Sequence, residues 1–567
     1  MTTSLRRLSI IAIVLAGTVA GAHAVHPDGP FENIKVTPMP AAWVYSSDAG
    51  KTFANAPLPG PPPGGDQRKA GGKVYPYAFK ATFNIDDPAK ISGLWVRLVE
   101  DGAKDPKAGI CTDNLTAASG GYYKDLGFCP TLLNATCFLN DKPVGFARGG
   151  TLYIWAPVEG ELKKGANTLA LRGNIYTYWA GKPAKSIAAR LVAAAAQPAK
   201  IYNGPMLGDF GEDYFSLVCR TQMPADLTIV ATPLSPAGKP VTTVSKNSIW
   251  HRVKVTVPKG ARKVKYSLTA KAGTHETKLG PFTVDLPDTT KGFRFVAYGN
   301  TMGHKYAVAT WKLCSHQMAR AKPAFLLNTG TPMEHGSWEW RWQEYYFDPS
   351  GDMFSTVPSF VTPGARDFSG IFNELHYTPS VNGDGHSWSK ALGPVRLIGL
   401  NGYHDWSPAG ANYKWLEGIL KAAKEKFIVV LDAFPGYSSG KSSRRLNYFT
   451  KQTRASVLPL LGKYKASVML CSWDPDYERV EPTVDKGCTQ IITGASGKKA
   501  RRFSRALGAN PFGPDKSKEW KGVGETYHFC VFNVKGDALE LKVLAVPSDL
   551  KTPATRVIDT KTFKPRN

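Results

Sequence analysis

Residues 467–482 read SVMLCSWDPDYERVEP, and this stretch decides how the second half of the chain is interpreted. The apolar run SVMLC has no polar alternation and predicts a strand that is covered on both faces. The run ends abruptly in a polar turn that carries Asp474 and Asp476. Loops that follow such strands usually hold the site of an α/β enzyme. Trp473 and Pro475 nevertheless occupy positions where titrating or metal-ligating side chains would be expected.

The same texture extends through residues 289–567, where apolar runs alternate with helical patterns such as ANYKWLEGILKAAKEK (411–426). The other strand-like runs are FRFVAYG (293–299), AFLLNTG (324–330), VRLIGLNG (395–402), FIVVLDA (427–433) and CTQIITGAS (488–496). Helical spacing also relates Ala307, Trp311, Cys314 and Met318. This alternation predicts an α/β unit whose strand-end loops line one rim. Residues 527–546 predict a hairpin that packs on the same unit.

The N-terminus has the pattern of a secretory signal peptide. Arg6 and Arg7 precede an apolar stretch, and AHA (22–24) is a small-x-small cleavage signal. We therefore expect residues 1–24 to be removed and the mature protein to be secreted or periplasmic. No later stretch approaches the roughly 20 apolar residues that a membrane-spanning helix requires.

Two β units are predicted before the α/β unit. Residues 25–196 contain short alternating runs separated by turns, which indicates an antiparallel sandwich. Within it, LNDKPVG (139–145) and LKKGANTLALRG (162–173) resemble segments of galactose-binding-like jelly rolls. Residues 197–288 show strand runs at the spacing of a small seven-strand sandwich and resemble a fibronectin-III-like module, which would act as a rigid spacer.

The composition indicates an anionic partner. The formal net charge is +26, with basic residues concentrated in 440–454 and 497–505. Such a charge favours encounter with phosphorylated compounds, acidic polysaccharide or other polyanions, although a solvated basic surface explains it equally. No nucleic-acid-binding motif is present, so no specific nucleic acid partner is expected. The eight cysteines show no C-x-x-C spacing, and export would permit one bridge among Cys111, Cys129 and Cys137.

A longer resemblance covers residues 294–497. Its segments, in family order, are GHKYAVATWK, EHGSWEWRWQEYYFDP, GIFNELHYTP, GLNGYHDWSP, NYKWLEGILKAAKEKF, FPGYSSGKSSRRLNYFTKQTR, VLPLLGKYKA and DYERVEP. On these segments the chain resembles the calcineurin-like metallophosphoesterases, and among them bacterial purple acid phosphatase-like proteins. The resemblance implies an α/β sandwich domain and, in an intact member, two metal ions that activate a water molecule and clamp a phosphoryl group. A fibronectin-III-like module before that domain would fit the same family.

The resemblance also implies five ligand-bearing loops, and this sequence departs from each of them. The first two family motifs, G-D-x-x-G and T-G-D, have become GNTMG (299–303) and TGT (329–331). The others, G-N-H-D, V-x-x-H and G-H-x-H, have become GARD (364–367), VLDA (430–433) and SWDP (472–475). The ligand positions are therefore occupied by Asn300, Thr331, Ala365, Ala433, Trp473 and Pro475. Since alanine and proline cannot coordinate and tryptophan offers only an N–H donor, the sequence predicts no metal cofactor and no catalytic residue.

Other polar residues near the predicted rim are His304, His335, His404, Asp405, Asp432, Asp474 and Asp476. Structural hydrogen bonding explains them without catalysis, and no substitute nucleophile or metal motif accompanies them. Arg366 would bring a permanent cation to a metal-free pocket. The sequence therefore allows an anion-binding remnant, formed by Asn300, Arg366, Asp367, His404, Asp432 and Asp474. The alternative is that Arg366 pairs with Asp367, Asp432 or Asp474 and fills the pocket.

Three functional hypotheses follow. The first is an exported, inactive phosphoesterase homologue that acts as a binding or structural protein, with an anionic extracellular ligand as one candidate partner. The second is an active phosphoric-ester hydrolase with a rebuilt site. The third is carbohydrate or cell-envelope binding through the N-terminal sandwich. Fold similarity alone does not decide among them.

Overall fold

The structure is a computed structural model. It describes residues 36–38, 44–46, 73–100, 131–147, 153–157, 161–177, 184–193, 200–272, 275–303, 306–333, 342–364, 367, 372–379, 386–440, 447–481, 487–503 and 520–566. The predicted signal peptide, residues 1–24, lies outside this part of the chain.

The first β region forms two antiparallel sheets, as its alternating pattern predicts. Its strands are β1 Val36–Pro38, β2 Val44–Ser46, β3 Lys73–Ile85, β4 Ile91–Glu100, β5 Thr131–Leu139, β6 Lys142–Ala147, β7 Tyr153–Pro157, β8 Gly165–Thr177 and β9 Ala184–Ala193. One sheet has the order β1-β9-β4-β7, and the other has the order β2-β3-β8-β5-β6. A single 3₁₀ turn, Pro88–Lys90, lies between β3 and β4. Phe83, Cys137 and Leu169 are buried side chains of the second sheet.

The cysteines in the described residues are free thiols. Six are present there, all buried, and Cys137 is one of them. Burial raises the pKa of the Cys137 thiol to about 12. A bridge through Cys137 is therefore a wrong prediction, while Cys111 and Cys129 lie outside the described residues.

The second β region has fewer and longer strands than its spacing predicts. They are β10 Ile201–Phe210, β11 Tyr214–Ser235, β12 Val241–Thr256, β13 Lys263–Ala272 and β14 His275–Asp285. The two runs DYFSLVCRT and DLTIVATPL, predicted as separate strands, form the single strand β11. Its first half pairs with β10 and its second half with β13, with register shifts around Ala225. A strand that changes its pairing partner at an irregularity bends there and takes part in two portions of the sheet. The region therefore has five long strands where the sequence predicted seven short ones.

This second region shares its core with the α/β region. One continuous apolar cluster contains Phe210 and Tyr266 together with Phe325 and Phe360. Phe210 lies 5.8 Å from Phe360 between ring centroids, and Tyr266 Oη donates to Ser355 O at 2.6 Å. A buried ion pair, Lys390 Nζ to Asp209 Oδ1 at 2.7 Å, adds to the contact. The second β region therefore packs against the α/β region through a shared core.

The α/β region is built on two sheets. The strands of the first are β15 Phe293–Tyr298, β16 Phe325–Asn328, β17 Ser359–Val361, β25 His528–Lys535, β26 Ala538–Ala545 and β27 Val557–Phe563, in the order β17-β16-β15-β25-β26-β27. The strands of the second are β18 Trp388–Leu392, β19 Val395–Gly399, β20 Phe427–Leu431, β21 Val468–Cys471, β22 Tyr477–Val480, β23 Thr489–Thr493 and β24 Trp520–Val523, in the order β18-β19-β20-β21-β23-β22-β24. Strands β15, β16 and β17 run parallel, as do β19, β20, β21 and β23. Each strand-like run of the sequence is thus a strand, and 527–546 is the expected β25–β26 hairpin.

Side-chain alternation explains why these strands are apolar throughout. In β20, Val429 joins the cluster between the sheets, whereas Ile428 and Val430 join a cluster on the outer face. Leu470 and Met469 of β21 divide in the same way. Because successive side chains point to opposite faces, a strand covered on both faces needs no polar positions.

Short helices cover the outer faces. The α-helices are α1 Val308–Arg320, α2 Asp348–Ser350, α3 Met353–Thr356, α4 Phe372–Leu375, α5 Ala411–Ala422, α6 Asn447–Gln452 and α7 Leu458–Lys463, with π-helical turns at Gln343–Phe347 and Thr453–Val457. Trp311, Cys314 and Met318 form the buried stripe of α1, as their spacing predicts. Among the described helices, none has the length and apolar character needed to cross a membrane.

Candidate functional site

The loops predicted to form a rim meet at one edge of the two sheets. They follow the carboxyl ends of β15, β16 and β17 in one sheet and of β20 and β21 in the other. A Cβ added to Gly330 would lie 2.8 Å from Ala433 Cβ, and one added to Gly299 would lie 2.4 Å from Ser472 Cβ. Ser472 Oγ also donates to Thr329 O at 3.0 Å. The parallel strand ends therefore bring loops from both sheets into direct contact, as the resemblance implies.

Asn300 is held at the centre of this rim. Its N–H donates to Gly330 O at 2.9 Å, and its Nδ2 donates to Trp473 O at 3.3 Å. The backbone has φ 54°, a left-handed conformation that asparagine tolerates better than most residues. The side chain is 1% exposed, and its Oδ1 has no hydrogen-bond partner among the described residues. Asn300 thus connects three loops and keeps one buried acceptor unused.

Thr331, at the position where the resemblance implies a bridging aspartate, has a strained backbone. Its φ is 54°, which is rare for a β-branched residue and marks local strain. The side chain is buried, and within the described part of the chain Oγ1 makes no hydrogen bond. A Cβ on Gly364 would lie 2.1 Å from Thr331 N, so the second and third loops are tightly packed.

The fourth and fifth loops carry Ala433, Trp473 and Pro475. Ala433 is fully buried, and its carbonyl accepts from Trp473 N at 3.0 Å. Trp473 is partly exposed and packs on Phe434 with ring centroids 5.5 Å apart. Pro475 is buried, and its carbonyl accepts from Arg501 N at 2.9 Å. These residues fill the rim with hydrocarbon and backbone contacts.

Most residues of the predicted anion-binding remnant have structural roles here. Asp367 accepts from Gly364 N through both oxygens at 3.0 and 3.1 Å. His404 Nε2 lies 3.0 Å from Asn401 Nδ2, and its carbonyl accepts from Gln452 Nε2. Asp474 Oδ2 accepts from Ser438 Oγ at 2.8 Å.

Asp432, like Asn300, also keeps one buried acceptor unused within the described residues. Phe434 N donates to Oδ1 at 3.0 Å, while Oδ2 is buried without a partner in the described residues. Burial raises the pKa of Asp432 to about 7. Four residues singled out from the sequence, Ala365, Arg366, His304 and His335, lie outside the described residues.

A buried acidic group below the rim was missed by the sequence reasoning. The group consists of Asp474, Asp476 and Glu478. The Glu478 carboxylate accepts from Ser439 N at 2.9 Å. Ser438 Oγ lies within hydrogen-bond distance of both Asp474 and Glu478. Burial, reinforced by the neighbouring carboxylates, raises the pKa of Asp476 well above its ordinary value, and burial raises the pKa of Glu478 to about 7. No strand alternation indicated this group, because β22 begins only at Tyr477 and both aspartates lie in the turn before it.

The donor set does not fit a dinuclear metal centre. Such a centre needs several carboxylate and imidazole ligands, one of them bridging both ions. The described family positions supply an amide, a hydroxyl, a methyl group, an indole and a prolyl ring. In the described part of the chain, no three His, Cys, Asp or Glu side chains are arranged to hold a metal ion.

A basic segment does reach the rim. Lys498 N donates to Asn300 O at 3.1 Å, and Lys498 Nζ lies 5.9 Å from the centre of the Trp473 ring. The described part of the basic segment 497–505, residues 497–503, thereby lies beside the rim, although the sequence indicated it only as a charge cluster. Nothing in the spacing of its lysines and arginines indicated this position.

The architecture is that of a phosphoesterase-like fold. No protein-family model matches the chain, and no curated protein matches it. Among solved structures, it is similar to a purple acid phosphatase from yellow lupin (Lupinus luteus) seeds, with a TM-score of 0.54, 13% identity, and coverage of 87% of this chain and 93% of that one. A structure of PhoD matches with a TM-score of 0.48 and 11% identity over 65% of this chain and 91% of that one. The likeness to the lupin phosphatase shows that the two chains share a fold.

Proposed function

We propose that this chain is a phosphoesterase-fold protein that does not hydrolyse phosphate esters and acts instead as a binding or structural protein. The observation that carries the proposal is the packing of Asn300, Thr331 and Ala433. Their loops pack directly against one another at the carboxyl ends of the strands, where the resemblance implies a metal site. Their side chains, however, offer no carboxylate or imidazole to a metal ion. Activity depends on those groups rather than on the fold.

The proposal includes the setting of the protein. Residues 25–196 and 197–288 act as two β modules, the second a fibronectin-III-like spacer that shares its core with the α/β unit. The N-terminal pattern directs the chain out of the cytoplasm. An anionic ligand suits the basic charge, and Lys498 beside Trp473 supports the rim as one place of contact.

The test is hydrolysis of a generic phosphomonoester by the full mature chain. We expect no turnover above the buffer rate when Mn²⁺, Zn²⁺, Fe²⁺ or Ca²⁺ is added in turn. An intact family phosphatase, assayed in parallel, shows that the conditions support the reaction. Metal-dependent turnover that co-purifies with the chain and disappears on chelation would contradict the proposal.

A further inference from the structure

A cleft of about 370 Å³ lies at the edge of the second sheet opposite the rim. It is formed by the residues that precede or begin β21 and β23 and by the chain at and after the end of β27. Its lining is Lys465, Ala466, Ser467, Thr489, Lys561, Thr562, Phe563, Lys564, Pro565 and Arg566. The cleft is therefore separate from the former metal-site loops.

The charge of this cleft is one-sided. Its described lining includes four basic side chains and no acidic one. Lys561 Nζ donates to Glu481 Oε2 at 2.7 Å, and this carboxylate lies behind the lining. Besides Lys561, whose charge is paired with Glu481, the cleft brings together Lys465, Lys564 and Arg566, and an anion would relieve the positive potential of such a concave surface.

Arg566 provides a specific donor. Its backbone N–H donates to Lys426 O at 2.9 Å, which fixes the residue against the segment before β20. Its Nη1 is buried and makes no hydrogen bond within the described residues. A buried donor without an acceptor is costly, and a guanidinium pairs well with an oxyanion because its N–H groups form a planar fork.

We propose that this cleft binds an oxyanion, with Arg566 as the central donor and Lys465 and Lys564 as flanking cations. The shared chemistry is a phosphate, sulfate or similar tetrahedral group, either free or carried by a larger molecule. A neighbouring cleft of about 540 Å³ adjoins Arg566 through its bond to Lys426, but its lining carries Glu425 beside its lysines, and Lys426 is paired with Asp537. The proposal is therefore confined to the first cleft. The proposal does not depend on the activity of the rim.

The experiment is calorimetric titration of the full chain with sodium phosphate, sodium sulfate and polyphosphate at constant ionic strength set with NaCl. We expect saturable binding of phosphate or sulfate, weakened about tenfold or more in Arg566→Gln, which corresponds to about 1.4 kcal/mol. Lys246→Gln, an exposed lysine of β12, is the matched control and should bind like the unaltered chain. Tighter binding of polyphosphate per site would identify a group on a larger molecule, and equal binding would identify a free ion.

The proposal is overturned if the unaltered chain shows no saturable binding, or if Arg566→Gln binds with unchanged affinity. Should Arg566→Gln fail to fold, the affinity of Lys564→Gln, a variant of an exposed lysine of the cleft, is compared with that of the unaltered chain instead. Failure here would leave the hydrolysis result untouched, because the two sites lie at opposite edges of the sheets.

Discussion

The two halves of the stretch 472–481 differ in how their polar groups are used. In the rim half, Trp473 Nε1 and both oxygens of Asp476 are buried without hydrogen-bond partners in the described part of the chain. In the strand half, Tyr477 Oη and Arg479 Nε donate to Asp559 Oδ2 at 2.6 and 2.7 Å. Arg479 also pairs with Glu481, which accepts from Lys561 of β27.

The contacts on the two sides of this boundary are of different kinds. Tyr477, Arg479 and Glu481 connect β27 of one sheet to β22 of the other through charged and polar side chains. Trp473 and Pro475 contact neighbouring loops through main-chain hydrogen bonds and ring packing. Side chains at the rim can therefore differ without removing the contacts that join the two sheets.

The largest expected effect comes from removing a buried carboxylate that the strand half binds. Asp559→Ala would remove one of the two buried carboxylates that pair with Arg479, whose side chain is 6% exposed, and would leave Tyr477 Oη without its acceptor. Removing one partner of a buried ion pair costs about 3–5 kcal/mol of unfolding free energy. Urea denaturation measures this loss. The matched control is Asp537→Ala, whose pair with Lys426 is exposed and should contribute about 1 kcal/mol or less. Equal losses in the two variants would show that the buried network does not fasten the sheets.

The buried carboxyl groups near the rim should make the stability of the protein depend on pH. Burial raises the pKa of Asp432 from its ordinary value of 3.8 to about 7, so the folded state keeps a proton that the unfolded state has lost. The contribution of this carboxyl to the free energy of unfolding is fully present below its pKa in the unfolded state. It is lost as the pH rises through its pKa in the folded state. The loss is up to about 1.4 kcal/mol per pH unit in that window, and Glu478 adds to it in the same direction.

Asp432→Asn isolates the contribution of that carboxyl, since an amide resembles the protonated acid. We expect the variant to lose less stability than the unaltered chain between pH 5 and pH 8, measured by urea denaturation at each pH. Asp405→Asn, the same substitution at an exposed carboxylate beyond β19, is measured in parallel as the matched control. A parallel pH dependence in Asp432→Asn and the unaltered chain would rule out a protonated Asp432.

The smallest expected effect is a difference in stability between valine variants of Thr329 and Thr331, two threonines of one loop. Thr331→Val removes a buried hydroxyl that has no partner in the described residues and should raise the unfolding free energy by about 1 kcal/mol. Thr329→Val removes a hydroxyl that donates to Tyr298 O at 3.2 Å and should lower it by about the same amount. Both are measured by chemical denaturation. Destabilisation of both variants would mean that Thr331 Oγ1 has a partner in the folded protein.

Much of the fold could be predicted because its signals are local. The runs that became β20 and β21 are apolar on both faces, and the stripe of Trp311, Cys314 and Met318 on α1 follows the helical period. The continuity of β11 could not be predicted, because a bulge near Ala225 joins two runs that look separate. Likewise, the positions of Lys498 and Glu478 beside the rim depend on how distant loops meet. The prediction that Asn300, Thr331 and Ala433 stand at metal-ligand positions rests on their place in a family motif and not on any local pattern.

The central claim is that the rim no longer holds metal ions, and direct metal binding tests it most simply. The full chain, purified without chelators, is analysed for metal content and then titrated calorimetrically with Mn²⁺ and Zn²⁺. The account predicts less than about one-tenth of a metal ion per chain and no saturable binding at the rim, with the same titration curve for Asn300→Ala. Close to two ions per chain, lost in Asn300→Ala, would contradict it.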